Sequence, residues 1–315
     1  MGDFPLDLLW ELFGNSILAA LSAGLVVPVV GAYLLARGTG FYGVTLPQLA
    51  AAGIAFGFAI LSWWQENMAW LVDAVEHGDD SHLALHYHIL WAGVFCLGGM
   101  ILMAKASKES TRETGNVAAT FAIASALTIL FAHMSPLGEV FVHGLLRGEI
   151  LAIDGHELGI LLSTLGVVVI LLALFNRNLT LISFDSQLAK VLGMRLAGWE
   201  CLHLLIVGAT VSVCVMTIGP TVLFGLLVLP PLAARHVARS MTAYLILSSA
   251  AGLVSAAGGI WVSFEYDLPL GPSLVLVAAL LLALAVAAKR IQRLRGLVPA
   301  KAADTKTPAD PYRKP

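Results

Sequence analysis

The side chains in this sequence that could do chemistry are mostly histidines and carboxylates, the groups that ligate divalent metal ions. Residues 76 to 88 read Glu76-His-Gly-Asp-Asp-Ser-His-Leu-Ala-Leu-His-Tyr-His88. If 79–88 is helical, Asp79, His82 and His86 share one face at i, i+3 and i+7, a spacing that can hold zinc. The same composition also suits a solvated polar loop that ligates nothing. His133 and His143 flank a later loop. His203 lies within an apolar run, where an ionisable group is expected to face protein and not lipid. A hydrogen bond to neighbouring backbone would also account for it. Glu265 and Asp267 precede Pro269 and Gly271. They read either as carboxylates at a mouth or as caps of a turn.

The elements that must position these groups are membrane helices. Hydrophobic residues make up 58% of the chain and charged residues 12%, with a mean hydropathy of +0.87. A hydrocarbon core needs about 20 apolar residues per helix. Runs near 16–36, 41–62, 88–104, 117–134, 157–176, 198–217, 219–236, 243–263 and 272–289 meet that need. They are continuous and not alternating, so they predict helices and not barrel strands. The fold class expected is all-α, a polytopic membrane bundle of eight to nine spans. At Ile218-Gly-Pro220 two spans follow each other through a tight turn. Residues 1–295 read as a single transmembrane domain. The Lys-, Ala- and Pro-rich tail over 296–315 reads as disordered.

Charge gives the map an orientation. With the N-terminus outside and the C-terminus cytoplasmic, 17 of the 18 Lys and Arg fall on the inner side, Arg147 being the exception. The positive-inside rule favours that arrangement. Asp3, Asp7, Glu66, Asp73, Glu139, Asp154, Glu157, Glu265 and Asp267 are among the acids placed outside. That outer face would attract cations or a basic partner, although acids also collect wherever basic residues are excluded. The N-terminus has no basic n-region, so it does not read as a cleavable signal peptide. Phe4 to Phe13 reads as an interfacial amphipathic lead-in. Cys96, Cys201 and Cys214 all fall in apolar spans, and no disulfide is expected. No Walker motif or nucleotide-type glycine loop is present, so ATP binding by this chain is not expected.

One polar segment between spans has its own design. In Ser183-Phe-Asp-Ser-Gln-Leu-Ala-Lys-Val-Leu-Gly193, Asp185 reads as an N-cap and Gly193 as a C-terminal stop. Phe184, Leu188 and Leu192 recur every four residues with Val191 beside them, forming an apolar stripe. Under the orientation above it is cytoplasmic, as expected of a helix that docks on a separate motor.

At these residues the sequence resembles the membrane permease subunits of zinc-, manganese- and iron-type ABC importers. Ser183, Phe184, Asp185, Ala189 and Gly193 match that family's S-F-D-x-x-x-A-x-x-x-G segment. Ile218-Gly-Pro-Thr-Val-Leu-Phe-Gly-Leu-Leu-Val-Leu-Pro-Pro-Leu-Ala-Ala-Arg235 matches the span that follows it. Leu145–Asp154 and Ser263–Ser273 match two further stretches in the same order. The resemblance runs from about Ser16 to Lys289.

The resemblance implies a multi-pass protein of the bacterial inner membrane, working as a homodimer. Cytoplasmic ATPase subunits would grip Ser183, Phe184, Asp185, Leu188, Ala189, Leu192 and Gly193, and an extracytoplasmic binding protein would deliver a divalent metal. The chain itself would be no enzyme and hold no cofactor; ATP would be spent in the partner, and no nucleic acid is involved.

The sequence departs from the family in the second span. Where the family carries G-D-x-x-x-H, this chain has Tyr42-Gly-Val-Thr-Leu-Pro-Gln48. Val44 cannot ligate, and Gln48 offers one neutral carbonyl oxygen. Pro47 removes a backbone donor and predicts a kink or local unwinding. The candidate metal residues are therefore Gln48, His203, Glu265, Asp267, His82 and His86. Two alternatives stay open: an ABC permease for a metal chelate or other small solute, and an ion-driven secondary transporter. The second would need intramembrane acids, which the spans almost lack.

Overall fold

The computed structural model describes residues 6–38, 42–64, 81–106, 110–147, 153–184 and 186–294. His77, Asp79, Asp185 and the expected disordered tail over 296–315 lie outside them. Among the described residues every regular element is a helix. In chain order these are α1 (Leu6–Ala36), α2 (Tyr42–Trp64), α3 (Ser81–Ala106), α4 (Ser110–His133), α5 (Pro136–Arg147) and α6 (Gly155–Phe184). There follow α7 (Ser186–Val191), α8 (Leu196–Ile218), α9 (Pro220–Val237), α10 (Met241–Tyr266) and α11 (Leu270–Leu294).

Nine of these helices, all but the short α5 and α7, are long and apolar enough to span a membrane. The apolar spans within them agree with the sequence spans to within about three residues, except in α6; α1, α3 and α4 begin seven to ten residues earlier as helices. Helix α6 does not stop near 176 but runs on to Phe184, 30 residues in all. At 1.5 Å per residue it is about 45 Å long, well beyond a core of roughly 30 Å. No Gly or Pro interrupts Asn176–Phe184, and two of its polar side chains are held by hydrogen bonds. Thr180 Oγ1 donates to Asn176 Oδ1 at 3.1 Å, and Tyr33 on α1 donates to the same oxygen at 2.7 Å. The lead-in expected over Phe4–Phe13 is also no separate element, because α1 is continuous from Leu6.

The bundle has an inner and an outer set of spans. Windows in α1, α2, α8 and α9 are 67%, 72%, 67% and 56% buried, against 28% or less in the five others. α2 lies along α3 and α4, α1 along α10, α9 and α6, and α8 bridges α3 and α6. Small residues set the closest approaches, as expected where lipid supplies no hydrophobic drive. A Cβ on Gly31 would run into the Leu227 backbone of α9, and one on Gly24 would lie 2.8 Å from the Gly252 carbonyl of α10. The division at Ile218-Gly-Pro220 is a real break. Gly219 has φ 82°, a conformation open to glycine, and Pro220 begins α9 where its missing N–H costs nothing.

Arg37, Lys190, Arg195, Arg235, Arg239 and Lys289 gather at the bundle end where α1, α6 and α9 finish and α2, α8 and α10 begin. The opposite end carries Asp154, Glu157, Glu265 and Asp267.

Candidate functional site

The candidates fall into three places, not one. Among the described residues no three His, Cys, Asp or Glu side chains converge as a metal site.

The first place is the basic half of the inner spans. Gln48 lies six residues into α2 and His203 seven residues into α8, so each is about 10 Å from the basic end. Val44 and Gln48 are half-buried. Gln48 Nε2 donates to Thr128 Oγ1 on α4 at 3.4 Å, and the Thr128 hydroxyl in turn donates a hydrogen bond to the Ala124 carbonyl at 2.8 Å. That leaves Gln48 Oε1 as the one atom able to face a cation. α2 continues helically on both sides of Pro47, so the local unwinding expected there does not occur. Proline still has no N–H to give the Gly43 carbonyl.

His203 is 4% exposed, and neither ring nitrogen has a hydrogen-bond partner. The backbone hydrogen bond that would have made it a satisfied core residue is absent. One turn away Glu200 pairs with Arg37 at 3.2 Å, tying the end of α1 to the start of α8.

The second place is the acidic end. The His82 side chain lies outside the described residues. The neighbour that the fold gives His86 is His156, at the start of α6, with ring centroids 5.9 Å apart. Two imidazoles on one tetrahedral ion would have centroids about 5 Å apart, so a small rotation closes the gap. Sequence spacing missed His156 because it lies on another element; its position beside Asp154 and Glu157 was the available signal. His88, the last histidine of the string, is instead buried and stacked on Phe58 at 4.0 Å. His133 lies 3.9 Å from Glu139 on α5.

Glu265 and Asp267 are both exposed at the end of α10. Asp267 has φ 52° and closes the helix in the left-handed conformation. Leu268 donates its backbone N–H to the Ser263 carbonyl at 3.0 Å, and Ser263 Oγ donates to the Leu268 carbonyl at 2.6 Å. The Ser263–Ser273 motif therefore builds a turn, and Asp267 has a capping role in it.

The third place is α7. Ser183 and Phe184 do not open it; they close α6, and α7 itself has six residues. Its end is as the sequence predicts. Gly193 has φ 76°, its N–H reaches the Lys190 carbonyl at 3.0 Å, and the Met194 N–H reaches the Ala189 carbonyl at 3.1 Å. This pair of bonds is a Schellman closure. Ala189 is fully buried and anchors the turn, while Phe184, Leu188, Val191 and Leu192 are 63%, 45%, 83% and 62% exposed. Four large apolar side chains within nine residues are thus exposed at the basic end.

Comparison with known proteins agrees with this architecture. The chain is 24% identical over 267 residues to the manganese import system permease protein ScaB of Streptococcus gordonii, covering 85% of this chain and 87% of that one. It is 25% identical over 272 residues to the manganese transport system membrane protein MntC of Halalkalibacterium halodurans, covering 86% and 85%. The solved structure of PsaBC from Streptococcus pneumoniae in complex with Fab superposes with a TM-score of 0.75 at 21% identity, over 92% of this chain and 98% of that one. The model of the ABC 3 transport family matches residues 10–289, and this multi-pass membrane protein belongs to that family.

Proposed function

We propose that the chain is the membrane-spanning permease subunit of an ATP-driven importer of divalent metal ions, with manganese or zinc the first cargoes to test and iron the third. The observation that carries the reading is the exposed apolar surface of Phe184, Leu188, Val191 and Leu192, held by a closed turn at the basic end. Exposed patches of this kind mark partner surfaces. The manganese permeases to which the chain is similar supply the cargo class.

In this reading the basic end is cytoplasmic, and two copies of the chain pair in the membrane. One ATPase subunit docks on each α7, and a binding protein delivers metal to the acidic end. His86 and His156 take up the ion there, with Glu265 and Asp267 contributing field more than ligation. Gln48 Oε1 and His203 line the passage near the basic end. Nucleotide in the partner biases the bundle between outward- and inward-open states.

A second reading, import of a metal chelate or other small solute, is favoured by the engagement of Gln48 with Thr128, which leaves a single neutral oxygen for a bare ion. Reconstitution with its ATPase and binding protein separates the two. ATP-dependent uptake of radioactive manganese or zinc into proteoliposomes is expected. ATPase stimulation without uptake of manganese, zinc or iron would leave the chelate reading.

A further inference from the structure

A second polar site lies at the basic end, bordering the apolar surface before α7 at Phe184 and including none of the metal candidates. A pocket of about 350 Å³ opens where α9 finishes and α10 starts. Arg235, Arg239, Ser240 and Tyr244 line its polar side, and Leu35 and Phe184 its apolar side. Tyr244 is 7% exposed, yet its hydroxyl has no hydrogen-bond partner. A buried hydroxyl is stabilised by a hydrogen-bond partner, so Tyr244 presents an uncommitted O–H to the pocket.

The other polar groups of the pocket are of one kind. The ion pairs among the described residues are Arg37–Glu200 and His133–Glu139, so neither Arg235 nor Arg239 is paired with a carboxylate of those residues. Ser240 caps α10, its hydroxyl oxygen accepting the Ala243 N–H at 3.2 Å. That leaves the Ser240 proton and the remaining first-turn N–H groups of a 26-residue helix as donors. Two guanidinium groups, a phenol, a hydroxyl and a helix N-terminus are all hydrogen-bond donors. Arginine in particular matches the paired oxygens of a phosphate.

We propose that this pocket binds a phosphate group, carried by a lipid headgroup or present as free orthophosphate. Its place at the ends of two membrane spans suits the headgroup, because one wall is apolar and the other basic. Basic pockets between transmembrane helices hold anionic lipids in this manner. An occupant would touch Phe184 at the end of α6 and so lie next to the segment leading into α7. The inference needs only the membrane-spanning fold. It does not depend on the cargo, so it can fail while the transport reading stands, and the reverse.

The test uses the purified full chain, stripped of lipid and retitrated in two arms: phosphatidylglycerol followed by native mass spectrometry, and inorganic phosphate followed by calorimetry. Wild type is expected to show one tight site. Tyr244→Phe should weaken it about tenfold, the loss of one hydrogen bond to a charged group. Arg235→Gln/Arg239→Gln should abolish it. Tyr244→Phe keeps the ring and should raise the Tm of the stripped protein, which separates loss of binding from loss of fold. Substitution-sensitive binding in the lipid arm alone assigns the headgroup, and in the phosphate arm alone the free ion; both support the site. Unchanged affinity for both ligands in Tyr244→Phe and in the double variant would overturn it.

Discussion

Gln48 on α2 is tied to Thr128 on α4 through its amide nitrogen, 3.4 Å from the threonine oxygen. The tie decides what this position can offer. With the nitrogen committed to α4, the carbonyl oxygen is the ligating atom left to Gln48, and in the proposed passage a cation would meet that one neutral oxygen and no ligand from Val44. Such a site is weak by design, which lets cargo leave but also selects poorly. Val44→Asp with Gln48→His is therefore expected to tighten zinc and manganese binding by at least about tenfold, adding an anionic and an imidazole ligand on one helix face. Titration of the purified permease with each metal measures it. Transport should slow as binding tightens.

At the acidic end, the His86–His156 pair predicts a two-histidine site joining α3 to α6. Cobalt(II) titrated into the purified protein should develop visible absorption, since it takes the same ligands as zinc and reports its geometry. Either His86→Ala or His156→Ala should remove most of that signal, because a single imidazole holds the ion weakly. Retention of the full signal in both variants would remove this pair from the metal path.

Much of the architecture was readable in the sequence because membrane spans are specified by length and continuous apolarity, which are local properties. Gly193 and Gly219 were readable for the same reason, as a left-handed stop and a turn before proline. What escaped was pairwise and non-local. Nothing in the run from Glu76 to His88 points to His156, 70 residues beyond His86. Nor does anything near His203 reveal that both of its ring nitrogens are unpaired. The overrun of α6 to Phe184 escaped because Arg177 ends the continuous apolar run but not the helix. The Asn176 contacts with Tyr33 and Thr180 carry it onward.

α7 predicts a separation of binding from folding. Leu188→Asp with Val191→Asp places charges on exposed positions, so thermal stability should hardly move. Association with the proposed ATPase partner should fall sharply, as expected when the centre of an apolar interface is charged. Size-exclusion of the co-expressed complex measures the second effect. Gly193→Ala tests the closure itself. At φ 76° an alanine is strained by roughly 1 kcal/mol. Gly193→Asn, which tolerates that conformation, should behave more like wild type.

His203 gives the sharpest contrast between stability and function. Its ring is 4% exposed, and each nitrogen is without a partner, a cost of roughly 1–3 kcal/mol for each buried polar group left unsatisfied. A residue present only to fill space would be better as phenylalanine, which has similar shape and no polar atoms. His203→Phe should therefore raise the Tm of the purified permease. If the ring serves passing cargo, the same substitution should lower ATP-dependent metal uptake while leaving ATPase docking at α7 intact. His203→Asn, retaining a polar head, should recover part of the uptake without the gain in stability. A His203→Phe protein that is more stable and transports at the wild-type rate would show that the histidine has no part in the passage.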